Sequence, residues 1–233
     1  MNLRAAGRPL VVGHKGAAAL APENTLASLE RAVALGCDLV EFDVLELDGR
    51  LVLAHSPREV PAERASLDDA LELLAATGAG IHLDLKWHGY EAAVADALRR
   101  HDVLERTLVS TCRAHSLHSL ASLEPSVARG ITYPFDRRGI SQRRLLEPLT
   151  AAALVALRRL LPVRIDRLLD RARASVAVLH HSVVSPAAVA RAHARQAAAL
   201  AWTVDDDRDL ARVLDAGVDG VITNDPRILQ RRN

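Results

Sequence analysis

The 233-residue chain is 49% hydrophobic and carries a formal charge of +1. That is ample apolar material for one large core, and a charge so near balance excludes bulk attraction to nucleic acid or to an anionic membrane. Two cysteines, Cys37 and Cys112, are too few for a disulfide framework or a zinc-ligand spacing and read as reduced thiols.

The segment before His14 has no long apolar core ahead of a cleavage site. No stretch reaches the ~18 apolar residues of a membrane span, so a cytoplasmic protein is expected. From there β-rich runs alternate with Ala/Leu/Arg segments of helical period. Strands are expected near Leu10–His14, Leu39–Val44, Ile81–Lys86, Thr107–Thr111, Val127–Tyr133, Ser175–His181, Ala199–Val204 and Gly217–Thr223. Helices fill the intervals near Thr25–Leu35, Leu67–Ala76, Glu91–Arg100, Ser116–Leu123, Ala151–Leu161, Pro186–Arg195 and Arg208–Ala216, with a short one after Pro226. The turn at Asp48–Gly49 predicts a hairpin that returns along Leu51–His55 after the second strand. Eight strands joined through helices predict an α/β fold, a single-domain (β/α)8 barrel over residues 1–233. A doubly wound open sheet is the runner-up, but Gly13-His14-Lys15-Gly16 has the wrong spacing for its glycine fingerprint.

Period two in the strands identifies the chemistry. Glu41 and Asp43 share one face, opposite Val40, Phe42 and Val44; His82, Asp84 and Lys86 share one face, opposite Ile81, Leu83 and Leu85. The apolar faces belong against helices, so the charged sets face the barrel axis at the C-terminal strand ends, where barrel active sites form. Three converging carboxylates need a compensating cation. The all-oxygen set Glu41, Asp43 and Asp84 suits Mg²⁺ or Ca²⁺, and an internal network with Lys86 is the alternative. His14 and His55 end strands beside them and suit acid–base work near neutral pH. Lys15 and Lys86, the only lysines, sit at this site in a chain that elsewhere uses arginine. Thr25 or Asn24 can cap the first helix, and Asn24 with that helix N-terminus is expected beside His14 at the substrate phosphate. Of the other histidines, His180 or His181 can line the pocket, while His101, His115, His118 and His193 are expected to be solvated.

The run His14-Lys15-Gly16, Pro22-Glu23-Asn24-Thr25, Gly36-Cys37-Asp38, Glu41-Phe42-Asp43-Val44, Asp48-Gly49 and His55 resembles the glycerophosphodiester phosphodiesterase family. Asp84-Leu85-Lys86, Ala201-Trp202-Thr203-Val204 and Gly217 to Pro226 continue the resemblance over nearly the whole chain. It implies a barrel that hydrolyses glycerophosphodiesters to glycerol 3-phosphate and an alcohol with a divalent cation. Glu41, Asp43 and Asp84 are implied as metal ligands and His14 and His55 as acid and base. Lys15 and Lys86 would meet the phosphate, and Trp202 the glycerol. Lys15 stands where the family usually has Arg, Asp84 where it has Glu, and Ser56 where it has Asp; the loop Ser56–Ser66 is short. A lyase that releases a cyclic phosphate and a weakly catalytic phosphate-ester binder are the competing readings.

The long interval 136–173 between the fifth and sixth strands is rich in Arg and Leu. Pro148 and Pro162 are expected to break it into a helical insertion. Part of it is expected to form a lid that contacts an anionic membrane surface weakly; the plainer reading is a helix that covers the barrel.

Overall fold

The computed structural model describes Met1 and residues 3–5, 7–60, 65–135 and 147–230. Eight parallel strands close into a barrel: β1 (Leu10–Gly13), β2 (Leu39–Leu47), β4 (Gly80–Leu85), β5 (Thr107–Thr111), β6 (Ala128–Tyr133), β7 (Val176–His180), β8 (Ala198–Trp202) and β9 (Gly220–Thr223). β1 pairs with both β2 and β9, which completes the ring. The expected hairpin is present: β3 (Arg50–Leu53) runs antiparallel to the end of β2. Around the ring lie α1 (Leu26–Ala34), α2 (Leu67–Ala75), α3 (Glu91–Arg100), α4 (Ala114–Leu123), α5 (Glu147–Ala172), α6 (Pro186–Ala194), α7 (Asp207–Asp215) and α8 (Arg227–Gln230).

The alternation along the strands divides the interior into two layers. Val40, Phe42, Val44, Ile81, Leu83 and Leu85 are buried with the helix faces in the main apolar cluster. The opposite face fills the barrel itself. Val12, Leu39, Leu108, Val176, Val178, Leu200 and Ile222 form a second cluster on the axis. Two residues further along, the same inward positions of β2, β4 and β5 hold Glu41, His82 and Ser110. The axis therefore changes from apolar to polar within one step of the strand period, which fixes the site at the C-terminal mouth.

Helix caps set the loops beside that mouth. Thr25 and Ser28 form a reciprocal capping box at α1, and Ser66 and Asp69 form another at α2. Gly16 has φ +83, and a Cβ there would lie 2.4 Å from the backbone of Ser28. Only glycine lets the loop after β1 rest on α1 while its N–H donates to the Glu41 carbonyl at 2.8 Å.

Two expectations need correction. Pro148 and Pro162 do not break the segment between β6 and β7: α5 is one 26-residue helix. Pro148 sits in the first turn, where the missing N–H removes no helical bond. Pro162 does remove one, but it stands between Leu161 and Ile165, which with Leu169 and Ala172 are buried against the barrel. Tertiary burial outweighs the local cost. Residues 136–146, where the arginine-rich lid was expected, lie outside the described residues. His193 is also not merely solvated: its Nε2 lies 2.8 Å from Asp219 Oδ2 and ties α6 to the start of β9. Among the described residues, no helix is long and apolar enough to cross a membrane.

Candidate active site

The mouth holds a cavity of about 170 Å³. Its charged wall is His14, Lys15, Glu41, His55, Asp84 and Lys86; its other side is Ser110, Thr132, Val178, Trp202 and Ile222 over a floor that includes His82. Seven of the nine residues singled out from the sequence therefore line one cavity, and the remaining two, Asp43 and Asn24, lie directly behind it.

Asp43 and Asp84 are paired across β2 and β4, so their carboxylates stand side by side. Lys86 Nζ lies 2.6 Å from Asp43 Oδ1 and 2.5 Å from Asp84 Oδ2 and bridges them. Asp43 Oδ1 is buried, and the Lys86 ammonium is the group beside it. Asp43 Oδ2 accepts from Asn24 Nδ2 at 3.0 Å and faces His55 Nδ1 at 3.1 Å. Although burial alone would raise its pKa, Lys86, His55 and Lys15 hold Asp43 well below the usual carboxylate range. Glu41 behaves oppositely. Burial and the charge of Asp43 push it well above its ordinary value, and its Oε2 accepts the Lys15 backbone N–H at 2.8 Å. Lys86, despite burial, is held firmly charged by Asp43, Asp84 and Glu41.

Asn24 was expected at the phosphate, but only 1% of it is exposed. Its φ of +58 is a conformation that Asn tolerates better than most residues. There its amide clamps Asp43 twice, donating to Oδ2 and accepting the Asp43 N–H at 3.0 Å. Lys15 also has positive φ and directs Nζ to Glu23 at 2.9 Å and to Asp43 at 3.9 Å.

The histidines are oriented from behind. Asn224 Nδ2 donates to Asp205 at 2.6 Å, so its Oδ1 faces His14 Nδ1 at 2.7 Å and accepts from it. That leaves His14 Nε2 as the ring's lone-pair atom, 4.0 Å from Glu41. Burial lowers the His14 pKa, only partly offset by Asp43 and Asn224. His55 directs Nδ1 to the Asp43 carboxylate, which leaves Nε2 for a reacting group. His82 is pushed down to about 4 by burial; it donates through Nε2 to Ser110 Oγ at 2.8 Å, and Ser110 donates to Asp84 Oδ1 at 2.6 Å. Thr132 adds a second hydroxyl to that oxygen at 3.2 Å.

The sequence reading did not single out Ser110, Thr132, Asn224 or Asp205. Period two along β5 and β6 could have found the first two. His180 ends β7, and its ring lies edge-on to Trp202 with centroids 5.1 Å apart, beside the cavity rather than lining it.

A hard divalent cation fits this donor set. Three carboxylates from two neighbouring strands meet around Lys86, and Asp43 Oδ1 is buried with the Lys86 ammonium beside it. Lys86 lies between two of the three groups, and among the described residues no three acidic or imidazole groups form a preorganised metal cage.

The sequence profile of the Glycerophosphoryl diester phosphodiesterase family matches residues 14–72 and 92–228. This chain belongs to that family, and with it to the phosphoric diester hydrolases. The interval between the two matched spans contains Asp84 and Lys86, so their place at the site rests on the geometry above. A glycerophosphodiester phosphodiesterase of Caldanaerobacter subterraneus is 26% identical over 95% of this chain and 96% of its own length. A putative glycerophosphoryl diester phosphodiesterase of Silicibacter pomeroyi superposes with a TM-score of 0.78 at 22% identity, over 99% of this chain and 95% of that one. An Oleispira antarctica phosphodiesterase solved with its product sn-glycerol-3-phosphate superposes with a TM-score of 0.73 at 24% identity, covering 96% of each chain.

Proposed function

We propose that the chain hydrolyses glycerophosphodiesters to glycerol 3-phosphate and an alcohol, using His14 and His55 as base and acid around a divalent cation. The observation that carries this reading is the anchoring of both rings by Nδ1, His14 on Asn224 and His55 on Asp43, with both Nε2 atoms left over. Glu41, Asp43 and Asp84 are the residues that would hold Mg²⁺ or Ca²⁺. When bound, such an ion polarises a non-bridging phosphate oxygen.

His14, kept neutral by burial, takes a proton at Nε2 from the attacking nucleophile, either water or the neighbouring glycerol hydroxyl, whose cyclic phosphate water then opens to glycerol 3-phosphate. His55, held through Nδ1 by the Asp43 carboxylate, gives a proton from Nε2 to the leaving alkoxide. Lys15 and Lys86 supply positive charge to the phosphate as negative charge builds on its oxygens. Trp202 offers a flat apolar surface for the glycerol carbons on the far side of the cavity. Its Nε1–H is already used by the Val178 carbonyl at 3.2 Å, so the ring is fixed in place.

Glycerophosphoethanolamine and glycerophosphocholine, assayed with millimolar Mg²⁺ or Ca²⁺ and again with EDTA, test this directly. Release of glycerol 3-phosphate that stops on chelation is expected. Undiminished release in EDTA, or release of a cyclic phosphate as the only final product, would overturn it.

A further inference from the structure

The chain has only two tryptophans and two phenylalanines. One of each, Trp87 at 56% and Phe135 at 40% exposure, stands at the surface. Both enclose the same cation. The Arg113 guanidinium carbon lies 4.5 Å from the centre of the Trp87 ring and 5.5 Å from that of Phe135. Arg113 Nη1 donates to the Lys86 carbonyl at 2.8 Å, which pins the group to the strand end that carries the site lysine. Some surface arginines pair with carboxylates, as Arg8 does with Asp38 and Arg100 with Asp68. Among the described residues no carboxylate pairs with Arg113.

The position of this stack matters. Trp87 directly follows Lys86, Arg113 comes three residues after Ser110, and Phe135 three after Thr132; all three of those neighbours line the cavity. Trp87, Arg113 and Phe135 follow the ends of β4, β5 and β6, so the stack stands outward of the lining residues on that side of the mouth. Trp202, on β8, lies across the opening. A diester held with its glycerol on Trp202 therefore sends its alcohol portion towards Arg113. The two rings strip water from the guanidinium, and Nη1 alone is used by the Lys86 carbonyl, which leaves Nη2 and Nε for hydrogen bonds. That arrangement suits a planar anion such as a carboxylate and strengthens the contact.

We infer that Arg113, held between Trp87 and Phe135, is a specificity-determining residue that selects glycerophosphodiesters whose alcohol carries an extra negative group, a carboxylate or a second phosphate. The inference rests on the proposed phosphodiesterase reading for its substrate frame. Glycerophosphoserine and glycerophosphoethanolamine differ only by a carboxylate and so isolate the contact.

The wild-type protein is expected to favour the serine compound by about tenfold in kcat/KM, mostly through KM, as a charge-assisted hydrogen bond gives. Arg113→Gln should bring that ratio near one while changing the ethanolamine rate less than about twofold. Arg113→Lys should restore part of the preference. A wild-type ratio near one, or a preference unchanged in Arg113→Gln, would overturn the inference. Calorimetric titration with the same two compounds separates it from the parent reading. If neither compound is hydrolysed, the phosphodiesterase reading fails. Tighter binding of the serine compound that vanishes in Arg113→Gln still supports the contact, and equal binding of the two overturns it.

Discussion

The two sides of the barrel mouth are built on different principles. The side formed by β1, β2, β3 and β4 carries His14, Lys15, Glu41, Asp43, His55, Asp84 and Lys86, with charges at ion-pair distances. The side formed by β5 to β9 lines the cavity with Ser110, Thr132, Val178, Trp202 and Ile222, none of them charged. Buried charges are tolerable only when opposite charges touch them, so the charged residues must cluster on neighbouring strands. The opposite wall must then leave room and give shape. On β8 the inward positions are Ala198, Leu200 and Trp202, so an apolar axis ends in one aromatic ring at the mouth, while Ala199 and Ala201 face the helices. Reaction chemistry and substrate shape are thus carried by different strands, and mutations should separate them.

The largest effect should come from the charged side. Asp43→Asn, or removal of divalent cations by EDTA, is expected to cut turnover on the order of 1,000-fold, the several kcal/mol that a Lewis acid contributes. A variant that keeps more than a tenth of wild-type turnover in a glycerol 3-phosphate release assay would break the comparison at its centre.

His14→Ala and His55→Ala should each lower kcat by about 100-fold. A substrate with a good leaving group, such as a chromogenic phosphodiester, should rescue His55→Ala and not His14→Ala. Rescue of the opposite variant would exchange the two roles.

On the neutral side, Trp202→Ala should raise KM by about tenfold, since an aromatic packing surface is lost. Its kcat should stay within about twofold. A fall in kcat with constant KM would show that this wall takes part in the chemical step.

The smallest effect on turnover belongs to the floor, where His82 separates the polar mouth from the apolar axis. Burial holds its folded pKa at about 4, against 6.5 for a free imidazole. The unfolded chain therefore binds the proton more readily. Stability that is complete above pH 6.5 is lost as pH falls from 6.5 towards 4, by up to about 3 kcal/mol. Thermal melts across pH 7.5 to 4.5 should show a steep fall that His82→Gln flattens. Parallel curves for the two proteins would remove His82 as the cause.

The sequence by itself determined the architecture and most of the charged wall. Strand period two is a local property: Glu41 with Asp43, and His82 with Asp84 and Lys86, share a face whatever they pack against. The alternation of strands and helices, eight times over, leaves few folds other than a closed barrel. The tertiary structure decided the rest, because it depends on residues that meet only when the ring closes. Asn224, which orients His14, lies 210 residues away in sequence and reaches it because β9 pairs with β1. Asn24 resembles a helix cap in the sequence, yet its left-handed backbone turns the amide onto Asp43. Pro162 reads locally as a helix breaker, but burial of Leu161 and Ile165 keeps α5 continuous. Arg113, Trp87 and Phe135 come from three separate loops, and no periodicity links them. Only the side-by-side order of β4, β5 and β6 stacks one upon another.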